Sequence, residues 1–441
     1  MSPTAFFRPT ALAAFLAFVV MTAGCSGAAG DGVPINRIVT AEVSPRIDAV
    51  VLRLLRRGEP GIGVAVTKAG KIVHMAGYGY ADLDRDLAIN RDTKFHIGST
   101  GKQFTALAML LLADEGLVDL DAPAARYLPE LQAKYPRVLV HQLLDHTSGL
   151  GSYYPGEGDI GWGKLKVEMA RAKLSAPTNT QAVAAIAQVD PVAAPGTRWA
   201  YSNVAFETAA ALIERVTGRT YQDFVAERVL RPLGMSGTFL TPDLQRSAQS
   251  DVARGYEFNG GEQGPFTRRS AEKFKPVDPA THQTRRLFDG LSGAGTIYTS
   301  LDDMVAYDRA WDRGMPLVSG EARRRMLTPA AAGPVVKGME EAHSYGFGLS
   351  LVRDVKQMEP LGAIARSGGA ILHTGGWPGF SALYMRFPRQ RVGVIVLINR
   401  DSLYGDMGAA WNRPTWTLLL DSKRQRAAST KLGWEIAKPF L

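Results

Sequence analysis

Alternating apolar strands stand near both ends of this chain, and a long helical stretch separates them. Residues 61–67 and 72–80 read as two strands joined by the turn Lys68-Ala69-Gly70. Residues 381–387 and 392–398 read as a second hairpin around Pro388-Arg389-Gln390-Arg391, with a further strand over 346–352. Hairpins so far apart in sequence form one sheet only if the chain returns to its starting edge after a long excursion. The pattern therefore predicts an α/β (α+β) fold: a mixed, mainly antiparallel sheet assembled from both chain ends, flanked by helices, with a largely helical insert over about residues 99–335. A cleft is expected between sheet and insert, where small-molecule sites tend to form.

The helices are read from apolar spacing. Ser44-Pro45 is a helix start, followed by Ile47, Val50, Val51, Leu54 and Leu55 and stopped by Gly58. Further helices are predicted over 100–115, 181–188, 203–217, 221–229 and 302–311, and over 404–420 with a bend at Pro414. Residues 245–290, polar and dotted with glycine, predict irregular loops. No internal repeat is present.

The first 24 residues carry a single charge, Arg8, followed by an apolar run from Ala11 to Ala23 and then small residues. That is the order of a secretory signal, and the run is short for a membrane span. The only cysteine of the protein, Cys25, follows at once, and Thr22-Ala23-Gly24-Cys25 resembles a bacterial lipobox, with Thr22 where an aliphatic residue is usual. The expected product is an exported cell-envelope protein lipidated at Cys25 and held to a membrane by that anchor; the alternative is a cleaved signal and a soluble secreted or periplasmic protein. The expected organisation is a signal peptide over 1–24, a flexible Gly/Ala-rich tether over 25–40, one catalytic unit over 41–421 and a loose basic tail over 422–441.

Composition excludes several classes. One cysteine cannot pair within a monomer, and the seven histidines show no metal-ligand spacing, so neither a disulfide framework nor a metal site is expected. The net charge of +9 comes from scattered lysines and arginines without a zinc-finger or RNA-binding motif, so no nucleic-acid partner is expected. No cofactor is expected, and a monomer is.

Three short motifs carry chemistry. Ser99 and Lys102 stand three residues apart at a predicted helix start, so both side chains fall on one face and an amine lies near a hydroxyl. The spacing alone is weak, since Ser270 and Lys273 repeat it inside the polar loop region. Tyr201-Ser202-Asn203 is the only Tyr-x-Asn, and His373-Thr374-Gly375 occurs once, directly before Gly376. His146, with Asp145 beside it, invites a Ser-His-Asp reading, but neighbours in sequence do not face one another, and a structural role is expected. Tyr153, Tyr154 and Trp377 are candidates for a pocket rim.

In that order, Ser-x-x-Lys, Tyr-x-Asn and His-Thr-Gly resemble the motifs of the serine β-lactamase and penicillin-binding-protein superfamily, and the tyrosine variant resembles its class C branch. Leu143 to Leu150, Arg231-Pro232-Leu233-Gly234-Met235 and Ser292-Gly293-Ala294-Gly295 fit the same family, and the likeness spans about residues 44–421. The resemblance implies that Ser99 is the nucleophile, that Lys102 shares its proton, and that Tyr201 is the base that later protonates the leaving group. It implies that Asn203 holds the substrate amide, that the N–H groups of Ser99 and Gly376 form an oxyanion hole, and that His373, Thr374 and Gly375 bind substrate. The Tyr201 role requires a phenol acidified by nearby positive charge, because a free tyrosine titrates near pH ~10. Where β-lactam-binding relatives have lysine, this chain has His373, so substrates held by a carboxylate are expected to bind less well.

The implied function is hydrolysis of a small amide or ester, peptidoglycan-derived or otherwise, of DD-carboxypeptidase or esterase type. The alternatives are a β-lactamase and, in a different class, an envelope lipoprotein that binds muropeptides or β-lactams without turning them over.

Overall fold

The computed structural model describes residues 27–29, 32–151, 178–240, 251–258, 274–277, 291–331, 344–352, 368–400 and 422–441. Among these residues nine strands form one sheet: β1 (Gly27–Ala29), β2 (Val33–Val39), β3 (Ile62–Lys68), β4 (Lys71–Tyr78), β5 (Ser344–Tyr345), β6 (Ser350–Val352), β7 (Ala370–Trp377), β8 (Phe380–Phe387) and β9 (Val392–Ile398). Their spatial order is β1-β2-β4-β3-β9-β8-β7-β6-β5, and every neighbouring pair is antiparallel. The two expected hairpins meet at the centre, where Ile62 pairs with Ile398 and Lys68 with Val392. The sheet is thus closed by the two ends of the chain.

Side chains alternate between the two faces of a strand. On β8, Ala382 and Tyr384 join a large core beneath the sheet, whereas Leu383 and Met385 join a second core above it. The large core is shared with helices α2 (Lys102–Asp114), α3 (Val140–Leu144), α4 (Asn179–Ile186), α5 (Asn203–Thr217) and α6 (Leu301–Asp312). The second core is covered by α1 (Ser44–Leu52) and α7 (Ser422–Ala437).

Two expectations are corrected. Residues 33–39, inside the expected tether, are strand β2: Val33 and Ile35 alternate with partly exposed neighbours and are buried against the sheet, where β2 pairs with β4. The expected loose tail is α7, because Leu432, Ile436 and Ala437 recur on one helical face and are buried in the second core. His373-Thr374-Gly375 lies within strand β7. The helix expected over 404–420 lies outside the described residues, as do Cys25, Tyr153, Tyr154, Ser270 and Lys273.

Candidate active site

Ser99 sits in a single 3-10 turn, Gly98–Gly101, that leads directly into α2. The turn is pressed between β7 and the segment Leu291–Gly295. Gly98 has φ +49°, and a Cβ there would fall 2.6 Å from the Gly376 carbonyl oxygen. Gly375 meets the same turn more tightly, since a Cβ on it would lie 1.8 Å from the Ile97 carbonyl oxygen. Only glycine lets the two backbones approach this closely.

Lys102, the first residue of α2, is fully buried. A buried ammonium is costly unless hydrogen-bonded. Three acceptors surround its Nζ: Ser99 Oγ at 3.2 Å, Asn203 Oδ1 at 2.6 Å and the Ala294 carbonyl at 2.7 Å. They match the three protons an ammonium can donate. The Nζ also lies 5.0 Å from the centre of the Tyr201 ring.

Tyr201 is placed by the entry into α5. Ser202 caps that helix, its Oγ accepting from the Ala205 N–H at 3.0 Å and donating to the Gly151 carbonyl at 2.7 Å. The Ser202 N–H donates to His146 Nδ1 at 3.0 Å, and the His146 ring lies 4.3 Å from the Tyr201 ring. His146 holds the left-handed conformation with φ +65°. It shapes the Tyr201 turn, and Asp145 points elsewhere, accepting from the Thr147 N–H at 3.0 Å.

His373 is buried on β7, with Nδ1 2.6 Å from the Thr374 carbonyl and Nε2 2.8 Å from Tyr345 Oη. A carbonyl only accepts, so Nδ1 carries hydrogen, and in the neutral ring the tyrosine hydroxyl donates to Nε2. Tyr345 also packs on His146, with ring centres 4.7 Å apart. Both ring nitrogens of His373 are therefore engaged with protein groups. Thr374 is largely buried beside it.

A shallow cleft opens over Ser99, lined by Gly98, Asn203, Glu207, Leu291, Ala294, Gly295, Gly376 and Trp377. The structure thus brings Ser99, Asn203 and Gly376 to one cleft, sets Lys102 and Tyr201 beside it, and places Trp377 at its wall. Glu207, Tyr345 and the Leu291–Gly295 backbone were not assigned roles from sequence. Glu207 had one usable signal, its position four residues after Asn203 on an evident helix; Tyr345 had none, because its partners come from distant segments. Among the described residues no cluster of His, Cys, Asp or Glu has metal-binding geometry, and no helix is long and apolar enough to cross a membrane.

A serine and a lysine at a helix start, a tyrosine and an asparagine at the entry of a second helix, and a large antiparallel sheet closed by both termini define a class: the serine β-lactamase and penicillin-binding-protein fold, in its class C-like form. The chain belongs to the Beta-lactamase family, whose model matches residues 37–413, and members of that family are serine hydrolases. It is 26% identical over 340 residues to a penicillin-binding protein of Bacillus subtilis (strain 168), covering 77% of this chain and 68% of that one. It is 31% identical over 350 residues to a D-aminopeptidase of Cereibacter sphaeroides, covering 79% of this chain and 58% of that one. The chain thus spans about two thirds or less of the length of these relatives. A solved class C β-lactamase superposes with a TM-score of 0.65 at 19% identity, covering 90% of this chain and 96% of that one, which is a likeness of fold.

Proposed function

We propose that this chain hydrolyses small amides or esters through an acyl-enzyme on Ser99, in the manner of a DD-carboxypeptidase, D-amino-acid peptidase or esterase. The observation that carries the reading is Lys102 Nζ, which lies at once on Ser99 Oγ and Asn203 Oδ1 and beside the Tyr201 ring. In acylation, Ser99 Oγ attacks the substrate carbonyl carbon and its proton passes to the Lys102–Tyr201 pair. The carbonyl oxygen becomes an oxyanion, received by the N–H groups of Ser99 and Gly376. As the oxyanion collapses, the leaving group departs with the proton from Tyr201. Water then repeats the sequence on the ester and frees Ser99. Losing one oxyanion donor typically costs about 10²–10³ in rate.

Within that range of substrates, the engagement of both His373 nitrogens ranks neutral esters and D-amino-acid amides ahead of carboxypeptidase substrates, which end in a carboxylate. A β-lactamase remains the second reading because the nucleophile and proton carriers would be the same. The test incubates the protein in parallel with a nitrophenyl ester, a chromogenic cephalosporin and a D-Ala-D-Ala peptide. Ser99→Ala should abolish turnover and covalent labelling by a fluorophosphonate or penicillin, while Ser270→Ala should leave both unchanged. Labelling that survives Ser99→Ala overturns the assignment. A stoichiometric Ser99 adduct that persists for hours makes the protein a binder rather than an enzyme.

The reading includes export and lipidation at Cys25, supported by the order of residues before it. Cys25→Ser should release the protein from membranes with its hydrolysis intact. An intact mass that begins at another residue would remove the anchor and leave the enzyme assignment standing.

A further inference from the structure

Helix α5 presents Asn203 and Glu207 one turn apart, on one face. Asn203 reaches Lys102 directly. Glu207 reaches it through the backbone. The residue is 2% exposed, with Oε2 accepting from the Gly293 N–H at 2.9 Å and Oε1 from the Ala294 N–H at 3.3 Å. The carbonyl of that same Ala294 accepts from Lys102 Nζ at 2.7 Å. The two oxygens of one carboxylate thus grip two successive N–H groups, and the residue they grip supplies the third acceptor of the lysine. A glutamine cannot reproduce this, because it offers one oxygen and turns an NH₂ towards the other N–H. A carboxylate is costly to bury, and here both of its oxygens are committed to a wall of the cleft.

We propose that Glu207 is a positioning residue for Lys102: by fixing Ala294 it keeps that carbonyl on the lysine and so aims Nζ at Ser99 Oγ. The proposal rests on the assignment of Ser99 as the nucleophile. Without the clamp, the Gly293–Ala294 backbone can turn its carbonyl away, and Lys102 loses the acceptor that sets the direction of its Nζ. Misplacements of this size weaken the reacting geometry more than substrate binding.

The experiment measures single-turnover acylation of the full chain by p-nitrophenyl acetate, together with thermal unfolding. In Glu207→Gln the saturating acylation rate should fall about ten- to a hundredfold, with the half-saturating concentration within about twofold of wild type. The control is Thr208→Val, the next residue on α5, whose buried hydroxyl donates to the Val204 carbonyl of its own helix at 2.8 Å. It should lower the melting temperature and leave acylation unchanged, which separates positioning from general support of the helix. If Glu207→Gln does not fold, Glu207→Asp, which keeps both oxygens one methylene short of the backbone, should show the same split between rate and half-saturation. Acylation within about twofold of wild type in the folded variant overturns the proposal, as does an equal loss in Thr208→Val. Labelling of wild type at a residue other than Ser99 would instead overturn the parent assignment.

Discussion

Lys102 and His373 show how little a residue type says before its neighbours are known. The ammonium is buried but enclosed by three oxygens, so its cost is offset locally and its direction is set. His373 is the residue the motif assigns to substrate, and its Nε2 is held by Tyr345 Oη at 2.8 Å. Tyr345→Phe deletes that hydroxyl while keeping the ring. It should lower unfolding free energy by about 1–3 kcal/mol, read from urea denaturation, because a buried ring nitrogen loses its donor. It should also change the ratio of kcat/KM for a D-alanyl peptide to that for a nitrophenyl ester, since His373 can then turn towards the cleft. An unchanged ratio would confine Tyr345 to a packing role. The residues legible from sequence, Ser99, Lys102, Tyr201 and Asn203, sit in short motifs that carry their own spacing. Tyr345 and Glu207 act across segments dozens of residues apart, and no local pattern announces such a meeting.

At the scale of elements, the central hairpins were legible because alternation of apolar residues is a local signal. Strand β9 was read over 392–398 and observed as Val392–Ile398. The edge strand β2 and the helix α7 were not read, because composition masked pattern. Pro34, Asn36 and Arg37 dilute the alternation of Val33 and Ile35, and the lysines and arginines of α7 hide the stripe that carries Leu432, Ile436 and Ala437. That stripe nonetheless seats the helix on β8. A Cβ on Gly433 would lie 2.5 Å from Leu383 Cδ2, so the helix backbone rests almost on the strand side chains. Ile436, fully buried, is therefore a stability residue remote from the cleft. Ile436→Ala should cost about 2–5 kcal/mol in unfolding free energy. The kcat of the folded fraction should stay as it was, and a fall in kcat without a fall in stability would mean that α7 contributes to the site.

For the molecule as a whole, the site lies on one face of the sheet and a buried polar chain lies on the other. Arg37 pairs with Asp48 at 2.9 Å, Tyr78 Oη donates to Asp48 at 2.6 Å, and His74 joins Tyr78 Oη at 2.9 Å to Ser44 Oγ at 2.9 Å. The chain ties β2, α1 and β4 together beneath the second core. Burial lowers the His74 pKa from 6.5 to about 4; Asp48 opposes the shift and Arg37 adds to it. An unfolded chain, with its histidine near ~6.5, takes up this proton first as the pH falls. Folding stability then falls as the pH drops from about 6.5 to about 4, and below pH 4 both states are protonated and the loss stops. Asp82 and Glu130, whose pKa values are also lowered, change stability in the same sense at lower pH: partial burial opposes the shift, the hydrogen bonds from Arg85 and Arg215 outweigh it, and the stability so supplied is present above the ordinary carboxylate range and is lost as the pH falls through their folded values. Comparing wild type with His74→Gln cancels such shared terms. Urea unfolding should show wild type losing about 3 kcal/mol more than the variant between pH 7 and pH 4, the order of magnitude given by a shift of about 2.5 pKa units. Parallel curves across that interval would show that His74 titrates alike in the folded and unfolded states, so that its burial does not displace its pKa.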